Sequence, residues 1–482
     1  MKYPRFENFI NGAFQKSEHA RFVPVLEPAT GQIYASVPES VAADLKLAID
    51  GAHAAQPAFA KLVPAQRARL LHQLADVIEA DSDNLAAMES KDCGKTITQA
   101  RQIEIPRAAA NFRYFAAMAE SFASESHQHP DAWNVTLRAP LGTVACISPW
   151  NLPLYLLTWK IAPALACGNA VIAKPSEVTP ASAHRFAQLA SAILPAGILN
   201  ILHGSGAGIG QALVRHAEVK AVSFTGSTQT GAAIAGDCAP SFKKVSLELG
   251  GKNPMLIFAD ADFDGAVQAA LRASFSNQGQ ICLCASRILI ERTLYRRFVD
   301  AFVAGAMAIK IGDPSLPETQ FGALVSSAHL KKVQDAIALA EQEGGRKLLG
   351  GARVNLPGRC ADGYFLEPTI FDQLPQSAET NQQEIFGPVV TLQPFDNEAQ
   401  ALLMANETRY GLATSVYTQD LGRAQRLAQG LQMGMVWINC WMHRDLRTPF
   451  GGAKASGLGR EGGIDAMRFF TDCKNVAFGT LG

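Results

Sequence analysis

Two doubly wound α/β sheets with a cleft between them are predicted by three observations. After Asp131, short apolar runs alternate with helical stretches, the texture of βαβ units in a parallel sheet. The 482 residues are 48% hydrophobic, enough for two or three domains with ample cores. Several apolar runs end in short Gly-, Pro- or Ser-containing segments, and the carboxyl ends of such strands are where an α/β sheet binds its ligands.

Residues 41–123 read as helical, and 65–74 carry apolar side chains three and four apart. Residues 135–142 read as a strand running into a turn. Strands are then expected at 144–147, 170–173, 198–202 and 221–224, with helices such as 181–194 and 208–215 between them. A second α/β block follows Gly251, with strands near 255–258 and 287–290, then 389–392, 413–417 and 435–438. Residues 475–478 read as an edge strand.

Composition excludes several classes. Formal net charge is zero and no basic run reaches five residues, which argues against nucleic-acid and membrane-surface partners. Residues 1–7 lack the apolar core of a signal peptide, and no apolar run approaches the roughly 20 residues of a membrane span. Nine scattered cysteines, an odd number, fit a reducing cytoplasm better than a disulfide framework. No Cys/His cluster has zinc spacing; Cys282 and Cys284 come nearest and lack partners, so no metal is expected.

The chemistry concentrates in a few segments. Cys282 follows the polar, Gly-containing stretch 276–281, where a thiol can attack an electrophilic carbon. Glu248, just before Leu249-Gly250-Gly251, sits in a small-residue turn from which a carboxylate can take a proton from thiol or water. In the segment from Ile147 to Pro153 the prolines can aim the Asn151 amide at a developing oxyanion; a Pro-rich turn with Asn as turn former accounts for it equally well. Lys174-Pro175-Ser176-Glu177 ends a strand with a carboxylate suited to ribose hydroxyls; taken alone it is also an ordinary charged loop. Gly226-Ser227 to Gly231 forms a strand-to-helix junction whose amides can hold phosphate, or simply a capped helix start. Glu384 and Phe386 flank a Gly-Pro turn and offer a second ribose acceptor beside an aromatic ring.

Taken in order, these motifs resemble the aldehyde dehydrogenase superfamily, from Glu7-Asn8-Phe9-Ile10-Asn11-Gly12 to Pro449-Phe450-Gly451-Gly452 and Gly459-Arg460-Glu461-Gly462. The resemblance covers essentially the whole chain. It implies a Rossmann-like cofactor domain (1–118 and 140–249), an α/β catalytic domain (250–450) and small bridging or oligomerisation segments (119–139 and 465–482). It implies NAD-dependent oxidation of an aldehyde to an acid by a homodimer or homotetramer. Cys282 would be the nucleophile and Glu248 the general base, with Lys160 in the catalytic set. Asn151 and the Cys282 amide would form the oxyanion hole. Lys174, Ser176, Glu177 and Glu384 would hold riboses, Gly226, Ser227 and Gly231 the pyrophosphate, and Ile147, Trp150, Leu249 and Phe386 would flank the cofactor. Glu177 would bond both ribose hydroxyls and repel a 2′-phosphate, favouring NAD over NADP. Cys284 would pack beneath the site or trap Cys282 as a reversible disulfide.

Substrate choice must come from elsewhere. By the same resemblance Arg107 lies on a helix lining the substrate tunnel and Arg444 on a loop feeding the site. A buried guanidinium needs an anion: Asp445, Glu104, or a substrate carboxylate. The strings around both arginines, with 150–160, are similar to the 2-aminomuconic and 2-hydroxymuconic semialdehyde dehydrogenases. That branch serves tryptophan-type (kynurenine) and catechol meta-cleavage degradation. A broad dehydrogenase for neutral aldehydes, and a catalytically silent binding protein on the same fold, are the alternatives.

Overall fold

The computed structural model describes residues 3–17 and 21–479. Its first sheet runs in the spatial order Ala13–Gln15, Asn8–Ile10, Leu199–Ile201, Ala170–Lys174, Thr143–Ile147, Val219–Thr225, Lys244–Glu248 and Gly457–Leu458. The five central strands are parallel, and the flanking ones pair antiparallel. The chain steps outward from Thr143–Ile147 through two strands, then returns to the other side of it at Val219–Thr225. That reversal opens a crevice at the carboxyl ends.

The second sheet runs Arg346–Leu349, Thr369–Asp372, Val389–Phe395, Ala285–Glu291, Asn253–Ile257, Ala413–Tyr417 and Met435–Ile438, parallel apart from its first strand. A third sheet of three antiparallel strands joins Thr471–Gly479, Ala132–Pro140 and Ser126–His129. The expected edge strand is therefore present and longer than read. The last three residues of the expected bridging segment, 480–482, lie outside the described residues, as do Met1 and Lys2 of the start.

The helical tract resolves into Ala42–Ala60, Pro64–Ala80, Ser82–Cys93 and Ile105–Ser121. Gly94, at φ 73°, ends the third of these in the left-handed conformation. Two expectations need correction. The helix expected at 208–215 begins as a π-helical turn, Gly206–Gly210, and is α-helical only from Gln211, because glycines fill most of its first turn. Glu248 ends a strand instead of sitting in a turn, since Ser246, Leu247 and Glu248 continue the ladder beside Ser223, Phe224 and Thr225. Among the described residues no helix is long and apolar enough to cross a membrane, and no group of His, Cys, Asp and Glu could hold a metal ion.

Candidate active site

A cavity of about 220 Å³ opens at the crevice. Trp150 and Asn151 reach it from beyond Ile147, Ser227 from beyond Thr225, and Cys282, Glu384 and Phe386 from the loops of the second sheet. Cys282 is delivered by an unusual backbone: Asn277, Gln278 and Gly279 have φ of 49°, 57° and 71° in succession. Non-glycine residues pay strain there. At Gly279 a Cβ would stand 2.3 Å from the Gly387 carbonyl oxygen, so only glycine fits. Asn253 clamps the far side. Its Nδ2 donates to the carbonyls of Cys282 (2.7 Å) and Cys284 (3.0 Å), and its Oδ1 accepts from the Ala413 amide (3.1 Å).

The Asn151 amide is oriented by donating Nδ2–H to the Gln280 carbonyl at 2.9 Å. Its second N–H remains for an oxygen on the carbon that Cys282 attacks. Cys284 is buried and its thiol approaches the Ser276 carbonyl at 3.8 Å, a packing position; all nine cysteines are free.

Burial pushes the Cys282 thiol up to about 12, with Glu248 and Glu384 adding to the rise and Arg444 opposing it. A thiol with a raised pKa is protonated at neutral pH, and only the thiolate is nucleophilic. Alkylation of Cys282 in the cofactor-free protein should therefore climb about tenfold per pH unit above 7. A plateau between pH 7 and 8 would show a thiolate already formed.

Glu248 is 4% exposed, and its Oε1 is buried without a hydrogen-bond partner. Burial first, and the charge of Glu461 next, push it well above the usual carboxylate range, while Lys160 and Arg444 pull it down. A carboxylate raised above its usual range is a stronger base when ionised. Gly451 explains part of the Pro449–Gly452 motif: at φ 156°, a Cβ there would press on Glu248 Oε1 at 2.8 Å. Lys160 is fully buried and donates to Glu461 Oε1 at 2.6 Å, beside a bond from Ser223 Oγ at 2.9 Å. Lys160 thus stands behind Glu248, paired with Glu461. Glu461 has no role legible in the sequence; its one mark there is an acid inside a glycine-rich stretch.

Over the same strands a groove of about 340 Å³ is lined by Ile147, Lys174, Gly210, Phe224, Thr230 and Ile234. Lys174 Nζ lies 3.2 Å from Glu177 Oε2, so the two can share one hydroxyl-bearing partner. Ser176 Oγ accepts from the Val178 amide at 3.4 Å, a turn contact. Ser227 caps helix Thr228–Cys238 by accepting from the Thr230 amide at 3.2 Å, and other first-turn amides remain for an anion. A Cβ at Gly226 would meet the Phe224 ring, and one at Gly231 would meet Leu249, each at 2.4 Å. Glu384 accepts from the Gly251 amide at 2.9 Å. Trp150 and Phe386 meet edge to face at 5.2 Å, with His329, unassigned from sequence, against both.

A separate pocket of about 560 Å³ is lined by Gln99, Arg107, Tyr155, Trp441, Met442 and Arg444. Arg107 donates Nη1–H to the Arg444 carbonyl at 3.2 Å, bringing the two arginines together. Arg107 is partly buried, its guanidinium lies 5.7 Å over the Tyr155 ring and 5.8 Å over Trp159, its Nε and Nη2 make no geometric hydrogen bond, and burial lowers its pKa. Arg444 lies 3.7 Å over the Phe450 ring and forms no ion pair among the described residues. Both acids that the sequence offered are taken. Asp445 pairs with Arg447 at 2.6 Å, and Glu104 pairs with the buried Lys95.

The structure is that of a doubly wound α/β protein with a clamped thiol at the crevice and a buried carboxylate ending one of its strands. The aldehyde dehydrogenase family profile matches residues 14–476. A 2-aminomuconic semialdehyde dehydrogenase of Danio rerio is 47% identical over 99% of this chain and 98% of its own. A 2-hydroxymuconic semialdehyde dehydrogenase of Pseudomonas sp. (strain CF600) is 42% identical over 98% of each. A betaine aldehyde dehydrogenase from Staphylococcus aureus, solved with NAD+, superposes with a TM-score of 0.95 at 34% identity, covering 98% of this chain and 94% of that one. The chain belongs to the aldehyde dehydrogenase family.

Proposed function

We propose that this enzyme uses NAD to oxidise a semialdehyde bearing a remote carboxylate, of the 2-aminomuconic or 2-hydroxymuconic type, to the dicarboxylic acid. One observation carries the substrate reading: Arg107 and Arg444 share a pocket with no free acid, and neither forms an ion pair among the described residues. A partly buried cation without a counter-charge favours an anion, and a substrate carboxylate would supply it with charge-assisted bonds.

The groove and the thiol cavity together would take a dinucleotide. Lys174 and Glu177 would hold one ribose, Glu384 the other, the amides after Ser227 the pyrophosphate, and Ile147, Trp150, Leu249 and Phe386 the ring faces. When bound, the nicotinamide supplies the hydride acceptor. Cys282, once its proton has passed to solvent, attacks the aldehyde carbon as the thiolate, and the oxyanion of the thiohemiacetal falls to the free N–H of Asn151 and the Cys282 amide. Losing the Asn151 donor should cost about 2.7–4 kcal/mol. Loss of two electrons from that carbon leaves a thioester. Glu248 takes a proton from water, the water oxygen attacks, and the acid departs as the thiol is restored. Lys160, through Glu461, tunes the charge that Glu248 carries. The domain boundaries given above, and assembly of a dimer or tetramer through the third sheet, are part of the proposal. Exposed Trp133, Leu137 and Phe478 on that sheet support the assembly.

Removing the base should stall the second half. Glu248→Gln should lower turnover by about 10² to 10⁴-fold, with an acyl adduct on Cys282 visible by intact mass. Loss of activity with no adduct would move Glu248 to the first half. The substrate reading is tested on the unaltered enzyme with 2-hydroxymuconic semialdehyde and its methyl ester. The acid should be favoured in kcat/KM by about 10²- to 10⁴-fold, the worth of a charge-assisted bond to each arginine. Equal efficiency would remove the carboxylate, and equal efficiency with NAD and NADP would remove the role of Glu177.

A further inference from the structure

Lys95 is fully buried, and no step above uses it. It lies just beyond helix Ser82–Cys93, and its contacts join a residue of the thiol cavity, Asn151, to one of the arginine pocket, Glu104. Its ammonium pairs with Glu104, lies 3.7 Å from Glu89 Oε2, and donates to the Asn151 carbonyl at 2.7 Å. Each partner belongs to a different working part. Glu104 closes the π-helical turn Ala100–Glu104 and, three residues before Arg107, shares that residue's helix face. Glu89 Oε1 accepts from the Leu154 amide at 2.9 Å, at the start of the helix after Asn151. π-Turns of this kind recur at functional sites.

The same frame reaches the nucleophile loop. Gln99 donates to Glu104 Oε1 at 2.9 Å and accepts from the Asn277 amide at 3.2 Å. Asn277 Nδ2 then donates to the Asn151 and Gln280 carbonyls, both at 3.2 Å. The peptide carbonyl of Asn151 is thus held by Lys95 and Asn277, and its side chain by Gln280. A cation with no exposure and three oxygen partners fixes these atoms more tightly than neutral packing would.

We infer that Lys95 and Glu104 are positioning residues that hold the oxyanion donor Asn151 on a buried frame. The ion pair does not touch substrate. It acts by keeping the free N–H of Asn151 aimed at the carbon that Cys282 attacks. The inference holds for any aldehyde and does not depend on the semialdehyde chosen above.

A kinetic cycle tests it with Lys95→Met, Asn151→Ala and the double variant, assayed with a neutral aldehyde. Lys95→Met should lower kcat by about 100-fold, as a displacement near 1 Å does, with aldehyde KM and NAD affinity little changed. In the Asn151→Ala background the same change should cost no more than about twofold, the scatter of additive cycles. Full multiplication of the two losses overturns the inference, as does a Lys95→Met enzyme with normal kcat and only a lowered melting temperature. Should Lys95→Met fail to fold, Glu104→Gln, which keeps the shape and removes the charge, enters the same cycle with the same two outcomes.

Discussion

Cys282→Ala is expected to abolish aldehyde oxidation, with a loss of at least about 10⁴-fold in kcat, as when a covalent nucleophile is removed elsewhere. The loss should be confined to chemistry. The side chain is half-buried, its thiol makes no hydrogen bond, and the loop is held through the Cys282 carbonyl, which alanine keeps. Cofactor affinity and melting temperature should therefore change little, and aldehyde should still enter the pocket. Turnover within tenfold of the unaltered enzyme would show that Cys282 is not the nucleophile. Cys284 cannot substitute, because it is buried against Ser276.

The parallel strands were legible because strands covered on both faces read as unbroken apolar runs; 144–147 and 170–173 are fully buried in the structure apart from a trace at Ile147. The first hairpin was missed. Its strands, Asn8–Ile10 and Ala13–Gln15, are only three residues long, although the Asn11-Gly12 turn between them, with φ of 53° and 80°, carries the sequence mark of a tight hairpin. Cys282, Glu248 and Asn151 were legible as motifs, and the structure brings Cys282 and Asn151 to one cavity with Glu248 acting electrostatically on the thiol. Their supports were not legible, because they are made by distant pairs. Lys160 and Glu461 are 301 residues apart, and Asn151 and Gln280 are 129 apart. Nothing local marks Asn253 or Lys95 as holding a loop that lies elsewhere in the chain. The arginines fell between these cases. Their chemistry was plain, but whether Asp445 and Glu104 were free depended on Arg447 and Lys95, which only coordinates could settle.

Removing both arginines is the second large effect expected. Each should contribute about 1.5–3 kcal/mol through charge-assisted bonds to the substrate's carboxylate. Arg107→Ala with Arg444→Ala should then lower kcat/KM for the muconic semialdehyde by about 10²- to 10⁴-fold. If the grip is equal in ground and transition states the loss falls on KM; if it also sets the aldehyde over Cys282, kcat falls too. Arg444 acts on the thiol as well, since its charge opposes the rise of the Cys282 pKa, so a neutral aldehyde should register a small part of its removal. Arg107 has no such second role.

The most direct measurement is therefore kcat/KM of Arg107→Ala on 2-hydroxymuconic semialdehyde and on a neutral aldehyde of similar length. A loss of at least about tenfold on the acid, with the neutral aldehyde within about twofold, is the predicted result. Equal losses on both substrates would contradict the carboxylate clamp and make Arg107 a residue of the fold.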